Sequence, residues 1–151
     1  MSEGVTAQPL PRIAWVLGLA GLIPQAAAVL ATFDPEWRFI GLAAGYLYAV
    51  LIFSFLGGLW WGVAAARRDA PEWRYVAAVV PSLLALASGI PWMTGATWPG
   101  PSLGWLGVGI AASWLVDRRF GRLGLVGADY VRLRGALSAG LGALTFLLAL
   151  R

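Results

Sequence analysis

The chain has 151 residues, 60% of them hydrophobic and only 12% charged, with a mean hydropathy of +0.75. An ordinary soluble domain is about 45–50% apolar, so a soluble shell is excluded as cover for this much apolar surface. Cysteine and histidine are both absent, which excludes disulfides, thiolate chemistry, Cys- or His-ligated metals and haem, and His-based proton transfer within the chain.

The first apolar run, Ile13 to Phe33, is about 31 Å long as a helix, which matches a hydrocarbon core of about 30 Å. Pro24 falls near its middle, so a kink packed against protein is expected, with the neighbouring Gln25 as the partner of the freed carbonyl. Ile13 to Ile23 followed by Ala26-Ala27-Ala28 also has the form of a signal peptide. The weakly charged start and the continuation of the run to Phe33 favour a retained helix. After the turn Asp34-Pro35-Glu36-Trp37-Arg38, a second run covers Phe39 to Ala66. At about 42 Å it overshoots the membrane and must tilt or emerge into the interface.

A third run, Val76 to Met93, carries Pro81 and Pro91 near its ends. Thr94 to Pro101, rich in Gly, Pro and Trp, reads as an interfacial turn before a fourth run, Ser102 to Val116, which is short unless Trp98 to Pro101 contributes. The connection Asp117 to Arg134 mixes five arginines with apolar residues and suits a segment lying along headgroups. A fifth run, Gly135 to Leu150, has about 16 residues and must begin earlier, with Arg132 and Arg134 snorkelling outwards, or thin the bilayer. The expected fold is therefore all-α, a single membrane domain of five transmembrane helices, about 13–33, 39–66, 76–93, 102–116 and 135–150.

The eleven basic residues are all arginines, and with alternate loops on one side nine fall on one face of the membrane and two on the other. The positive-inside rule then places the N-terminus in the cytoplasm and the C-terminus outside. The net charge of +4 is a matter of topology, and nucleic acid is not an expected partner.

The most specific local pattern is Ser54-Phe55-Leu56-Gly57-Gly58-Leu59-Trp60-Trp61-Gly62. Ser54, Gly58 and Gly62 lie four residues apart on one helix face, a groove that lets backbones approach closely, with internal packing expected over a dimer face. Gly41 with Gly45, and Ser138 with Gly142, repeat the spacing. Of the nine tryptophans, Trp15, Trp37, Trp73, Trp92 and Trp98 lie near run ends, as an aromatic belt requires. No Asp, Glu or Arg falls within a predicted run, which argues against proton relays and ion-coupled transport. The polar groups at depth, Gln25, Ser54, Ser82, Ser88 and Thr145, read as hydrogen-bond staples between helices. Asp117 is placed to pair with Arg67, Arg68 or Arg134 at a solvated helix end, a contact worth about 0–1 kcal/mol if exposed.

Several segments together resemble a known family: Leu17-Gly18-Leu19-Ala20-Gly21-Leu22-Ile23-Pro24, Tyr48 with Phe53 to Gly58 and Trp61-Gly62, Val80-Pro81-Ser82-Leu83, Asp117, and Tyr130-Val131-Arg132-Leu133-Arg134. The chain is similar over most of its length to the family recorded as domain of unknown function 3429, itself similar to the mitochondrial transmembrane protein 69 of animals. That resemblance implies a five-helix inner-membrane protein, bacterial in this case, and brings no activity or substrate.

Two sets of candidate residues emerge. Pro24, Gln25, Ser54, Gly57, Gly58, Trp61, Gly62, Pro81 and Ser82 are candidates for helix packing or a cavity wall. Asp117, Tyr130, Arg132 and Arg134 are a candidate cytoplasmic-face polar cluster. The functional expectation is a non-enzymatic accessory or assembly component of the inner membrane, packing against other membrane proteins or a second copy in the lipid bilayer, with no cofactor and no metal. The alternative is a binder or carrier of an apolar small molecule such as a quinone or lipid, with the Pro24 kink and the Trp60/Trp61 region as cavity wall. An enzyme acting on a phosphorylated headgroup bound by Asp117, Asp129, Tyr130 and the arginines ranks third, because no nucleophile-base arrangement is visible.

Overall fold

A computed structural model describes residues 9–67, 70–96 and 98–151. Among them seven helices form five rods that run back and forth along one bundle. The first rod is broken into α1 (Arg12–Ala20) and α2 (Ile23–Ala31), joined by Gly21 and Leu22. Pro24 sits in the first turn of α2, where a missing backbone N–H leaves no helical bond unmade. The break is satisfied by Tyr48, whose hydroxyl donates to the Gly21 carbonyl. Gln25, the partner expected from sequence, turns elsewhere.

The second rod is α3 (Arg38–Ala65), 28 residues with apolar side chains on every face. It is the axis of the bundle, touching α2, α4, α6 and α7. The third rod is α4 (Trp73–Ser88) followed by the short α5 (Ile90–Met93), with Gly89 between them and Pro91 in the first turn of α5. Pro81 lies inside α4 and is buried. The hydroxyls of Ser54 and Ser82 share a 2.9 Å hydrogen bond, and Tyr46 donates to Ser88 at 3.0 Å, since Ser88 in turn donates to the Ala85 carbonyl. These are the interhelical staples that small hydroxyls supply in lipid.

The last two rods, α6 (Gly100–Arg122) and α7 (Ala128–Leu148), form the most extensive helix pair in the bundle. Their backbones approach at Gly107 and Gly142, where an added Cβ on Gly107 would sit 3.0 Å from the Gly142 carbonyl. Leu103, Leu106 and Ile110 of α6 join Phe53 and Leu56 of α3 and Leu141 and Leu148 of α7 in the main core.

Both helices are longer than the apolar runs that announced them. The expected polar connection from Asp117 to Arg134 is a turn of five residues, 123–127, and its flanks are helix. Lipid-exposed backbone favours helix wherever its groups lack water, so the helices continue past the first charges. Four helical rods are long and apolar enough to cross a membrane: Arg12–Ala31, Arg38–Ala65, Trp73–Met93 and Ala128–Leu148. α6, which carries Asp117, Arg118, Arg119 and Arg122 in its C-terminal turns, is not among them.

The two ends of the bundle are unlike. At one, Arg67 donates to the Gly124 carbonyl at 3.4 Å, and Arg119 lies over the Trp73 ring at 4.8 Å. Arg118 similarly caps Trp114 at 5.2 Å. At the other end Arg38 donates to the Arg151 carbonyl and the Arg151 guanidinium stacks on Phe33. Arg68, one of the partners expected for Asp117, lies outside the described residues, as do Asp69 and Thr97.

Candidate functional site

The spacing along α6 and α7 puts polar side chains on facing stripes. Ser113 and Asp117 are four residues apart, as are Tyr130, Arg134 and Ser138, so each set lies on one face of its helix. Where the helices meet, Arg134 Nε donates to Asp117 Oδ2 at 2.9 Å. Asp117 Oδ1 accepts from Trp60 Nε1 of α3 at 2.9 Å and from the Tyr130 hydroxyl at 3.4 Å. Asp117 is fully buried and Arg134 is 7% exposed.

The solvated helix end expected from sequence is thus a buried ion pair that ties three helices together. A carboxylate loses most of its attraction to a cation in water, and burial beside a guanidinium and an indole N–H restores it while satisfying its lone pairs.

Arg134 reaches further along the same interface. Its Nη2 approaches Ser138 Oγ at 3.3 Å and Ser113 Oγ at 3.5 Å. Ser113 gives its proton to the Ile110 carbonyl at 2.6 Å, so it accepts from Ser138 across 3.3 Å. Nη1 makes no hydrogen bond among the described residues.

A cleft of about 180 Å³ opens beside this network and is lined by Arg134 and Ser138 at its polar end. Its walls are otherwise almost wholly apolar: Leu17 and Leu22 at the first-rod break, Tyr48, Ile52 and Phe55 of α3, and Leu137 and Leu141 of α7. Leu17 and Phe55 are also among the exposed apolar side chains of the bundle, so the cleft opens on its lipid-type surface.

The sequence candidates separate on this geometry. Asp117, Tyr130 and Arg134 are brought together; Arg132 is exposed and, among the described residues, pairs with Asp129 at 3.6 Å. Gln25 is fully buried and donates to Thr145 of α7 at 2.9 Å, while its Oε1 has no partner among the described residues. Gly57 faces α4, with Pro81 close by. Gly58 and Gly62, expected to pack internally with Ser54, look into open space, and the internal approaches are made by Gly41, Gly45 and Gly57. Trp61 is exposed and meets Tyr75 edge-on at 5.1 Å. Neither Trp60 nor Trp61 lines the cleft; Trp60 is committed to Asp117.

Sequence reading missed Ser113, Leu137 and the cleft. The repeat of polar residues every four positions through Ser113-Asp117 and Tyr130-Arg134-Ser138 was the available signal. Among the described residues no group of three or more acidic side chains is placed to hold a metal.

A family model of proteins of unknown function, DUF3429, matches residues 10–150. The chain belongs to this family. The chain is also similar to transmembrane protein 69 of Xenopus tropicalis, 40% identical over 83 residues, which is 50% of this chain and 31% of that protein. The match therefore spans about a third of the length of that curated relative. No solved structure matches the chain. With its apolar rods and its membership of this family, the protein is a multi-pass membrane protein.

Proposed function

We propose that this protein holds an amphipathic small molecule, of the quinone or lipid class, in the cleft beside Arg134. The observation that carries the reading is an apolar cleft open to the lipid-facing surface and ended by a buried guanidinium with hydrogen-bonding capacity to spare. Ligand sites are mostly apolar with a few convergent polar groups, and an ionisable residue inside a membrane bundle is a functional site by default. No nucleophile and base stand together at the cleft, so the role is binding without catalysis.

The same reading includes five membrane crossings, with α6 among them, its outward side chains Trp105, Val108 and Leu115 being apolar, in a bacterial inner membrane. The arginine-rich end with Arg67, Arg118 and Arg119 is cytoplasmic, and the C-terminus lies on the far side. Purification in mild detergent, with mass spectrometry of the extracted small molecules, tests the binding role. The wild-type protein is expected to carry one enriched apolar compound and Leu137→Trp, which fills the cleft, to lose it. Indistinguishable extracts from the two proteins would overturn the reading.

A second reading, an accessory or assembly role through helix packing against a partner, is favoured by Gly58 and Gly62, where an added Cβ would meet nothing among the described residues. Gly58→Leu is then expected to release a stoichiometric protein partner from the same purification while leaving the small-molecule content unchanged. Partner recovery equal to wild type would remove this reading.

A further inference from the structure

We infer that the head of the molecule held in the cleft is an uncharged carbonyl acceptor, not an anion, and that Asp117 enforces this choice. The inference rests on the cleft being a binding site and goes beyond it by naming the chemistry at its polar end.

Charge sets the first constraint. Asp117 is fully buried against Arg134, with its two oxygens taken by the guanidinium, the Trp60 indole and the Tyr130 hydroxyl. The pair is electrically neutral, and among the described residues no other charged side chain lines the cleft. A carboxylate or phosphate entering there would be a third buried charge with no counterion. Burying an unpaired ion costs far more than one hydrogen bond returns.

Donor inventory sets the second. A guanidinium carries five N–H groups; Arg134, which lines the cleft, directs Nε at Asp117 and Nη2 at Ser113 and Ser138, and among the described residues Nη1 makes no hydrogen bond. A donor without an acceptor at the end of an apolar cleft asks for an acceptor, and a neutral carbonyl supplies one without adding charge. Ser138 cannot serve as a second donor, since its proton goes to Ser113.

Size sets the third. An engineered cavity of about 150 Å³ binds benzene, so the cleft, at about 180 Å³, accommodates one six-membered ring or a short ester segment. A whole lipid does not fit. The remainder of such a molecule must leave between Leu17 and Phe55, both exposed at the mouth. A quinone ring with its tail outside, or the ester of a neutral glyceride, meets all three requirements.

The test measures binding to the full-length protein in nanodiscs of uncharged phosphatidylcholine. The probes are a short-chain alkyl benzoquinone, a monoglyceride, and the fatty acid of matching chain length above its pKa. The quinone or the glyceride is expected to bind at least about tenfold tighter than the carboxylate, the scale of one hydrogen bond to a charged group. Whichever of the two binds tighter identifies the source of the carbonyl. Its carbonyl infrared band is expected to shift down on binding to wild type.

Asp117→Asn removes the negative charge while keeping an acceptor for Arg134, and is expected to reverse the order in favour of the carboxylate. Carboxylate preference in the wild-type protein, lost with Leu137→Trp, would overturn the neutral-head inference while leaving the cleft as a site. Absence of any probe binding sensitive to Leu137→Trp would instead overturn the cleft reading itself. If Asp117→Asn does not fold, the wild-type order and the infrared shift alone decide.

Discussion

Asp117→Ala is expected to destabilise the bundle by about 3–5 kcal/mol, the cost of leaving one buried charge of a pair without its partner. The substitution strands the Arg134 guanidinium between α6 and α7 and also leaves the Trp60 indole N–H without its acceptor. Both groups are buried, so water cannot replace the lost carboxylate. Removing both charges together, as Asp117→Leu with Arg134→Met, is expected to cost much less than either single change, because a neutral, well-packed interface has no desolvated charge to stabilise. Equilibrium unfolding in mixed micelles of the two singles and the double provides the coupling energy directly. Near-additive singles, each within about 1 kcal/mol of wild type, would mean that the pair behaves as a solvated surface contact.

Gly57→Ala is expected to separate α3 from α4, whereas Gly58→Ala one residue along is expected to be nearly silent. A Cβ at position 57 would collide with the Ala78 carbonyl oxygen, which is backbone and cannot swing aside. Pro81 and the Ser54–Ser82 hydrogen bond lie along the same helix pair, so the shift propagates along it. Overpacking of this kind costs about 1–3 kcal/mol or more, and in lipid no hydrophobic force returns the helices to contact. At Gly58 a Cβ meets nothing, and the change is expected to stay within about 0.5 kcal/mol. Unfolding midpoints of the two variants, measured side by side, check the order; a silent Gly57→Ala with a disruptive Gly58→Ala would reverse the assignment of the inner face.

Much of the frame was legible before any coordinates. The runs 39–66 and 13–33 correspond closely to α3 and to the α1–α2 rod, because lipid-facing helices advertise themselves by unbroken apolar composition. The C-terminal end of α6 was not legible, and the early start of α7 stood only as one of two ways to lengthen a short run. Charged residues such as Asp117 and Arg134 read as the end of a run when considered singly, yet they continue a helix once each satisfies the other. Asp117, Tyr130 and Arg134 were recognised as a cluster, but their burial depends on Trp60, far away in the sequence.

Composition alone determined that the chain lives among apolar neighbours and that thiol, imidazole and metal–thiolate chemistry lie outside it, since those facts need only an inventory of side chains. The tertiary structure decided which of two adjacent glycines faces inward, whether the Asp117 charge is solvated or buried, and where the bundle leaves a cleft. Each of these depends on the rotation of one helix against another. A shift of one residue turns a helix face by about 100°, and a helix that is apolar all round, as α3 is, carries no moment in its sequence to fix that rotation.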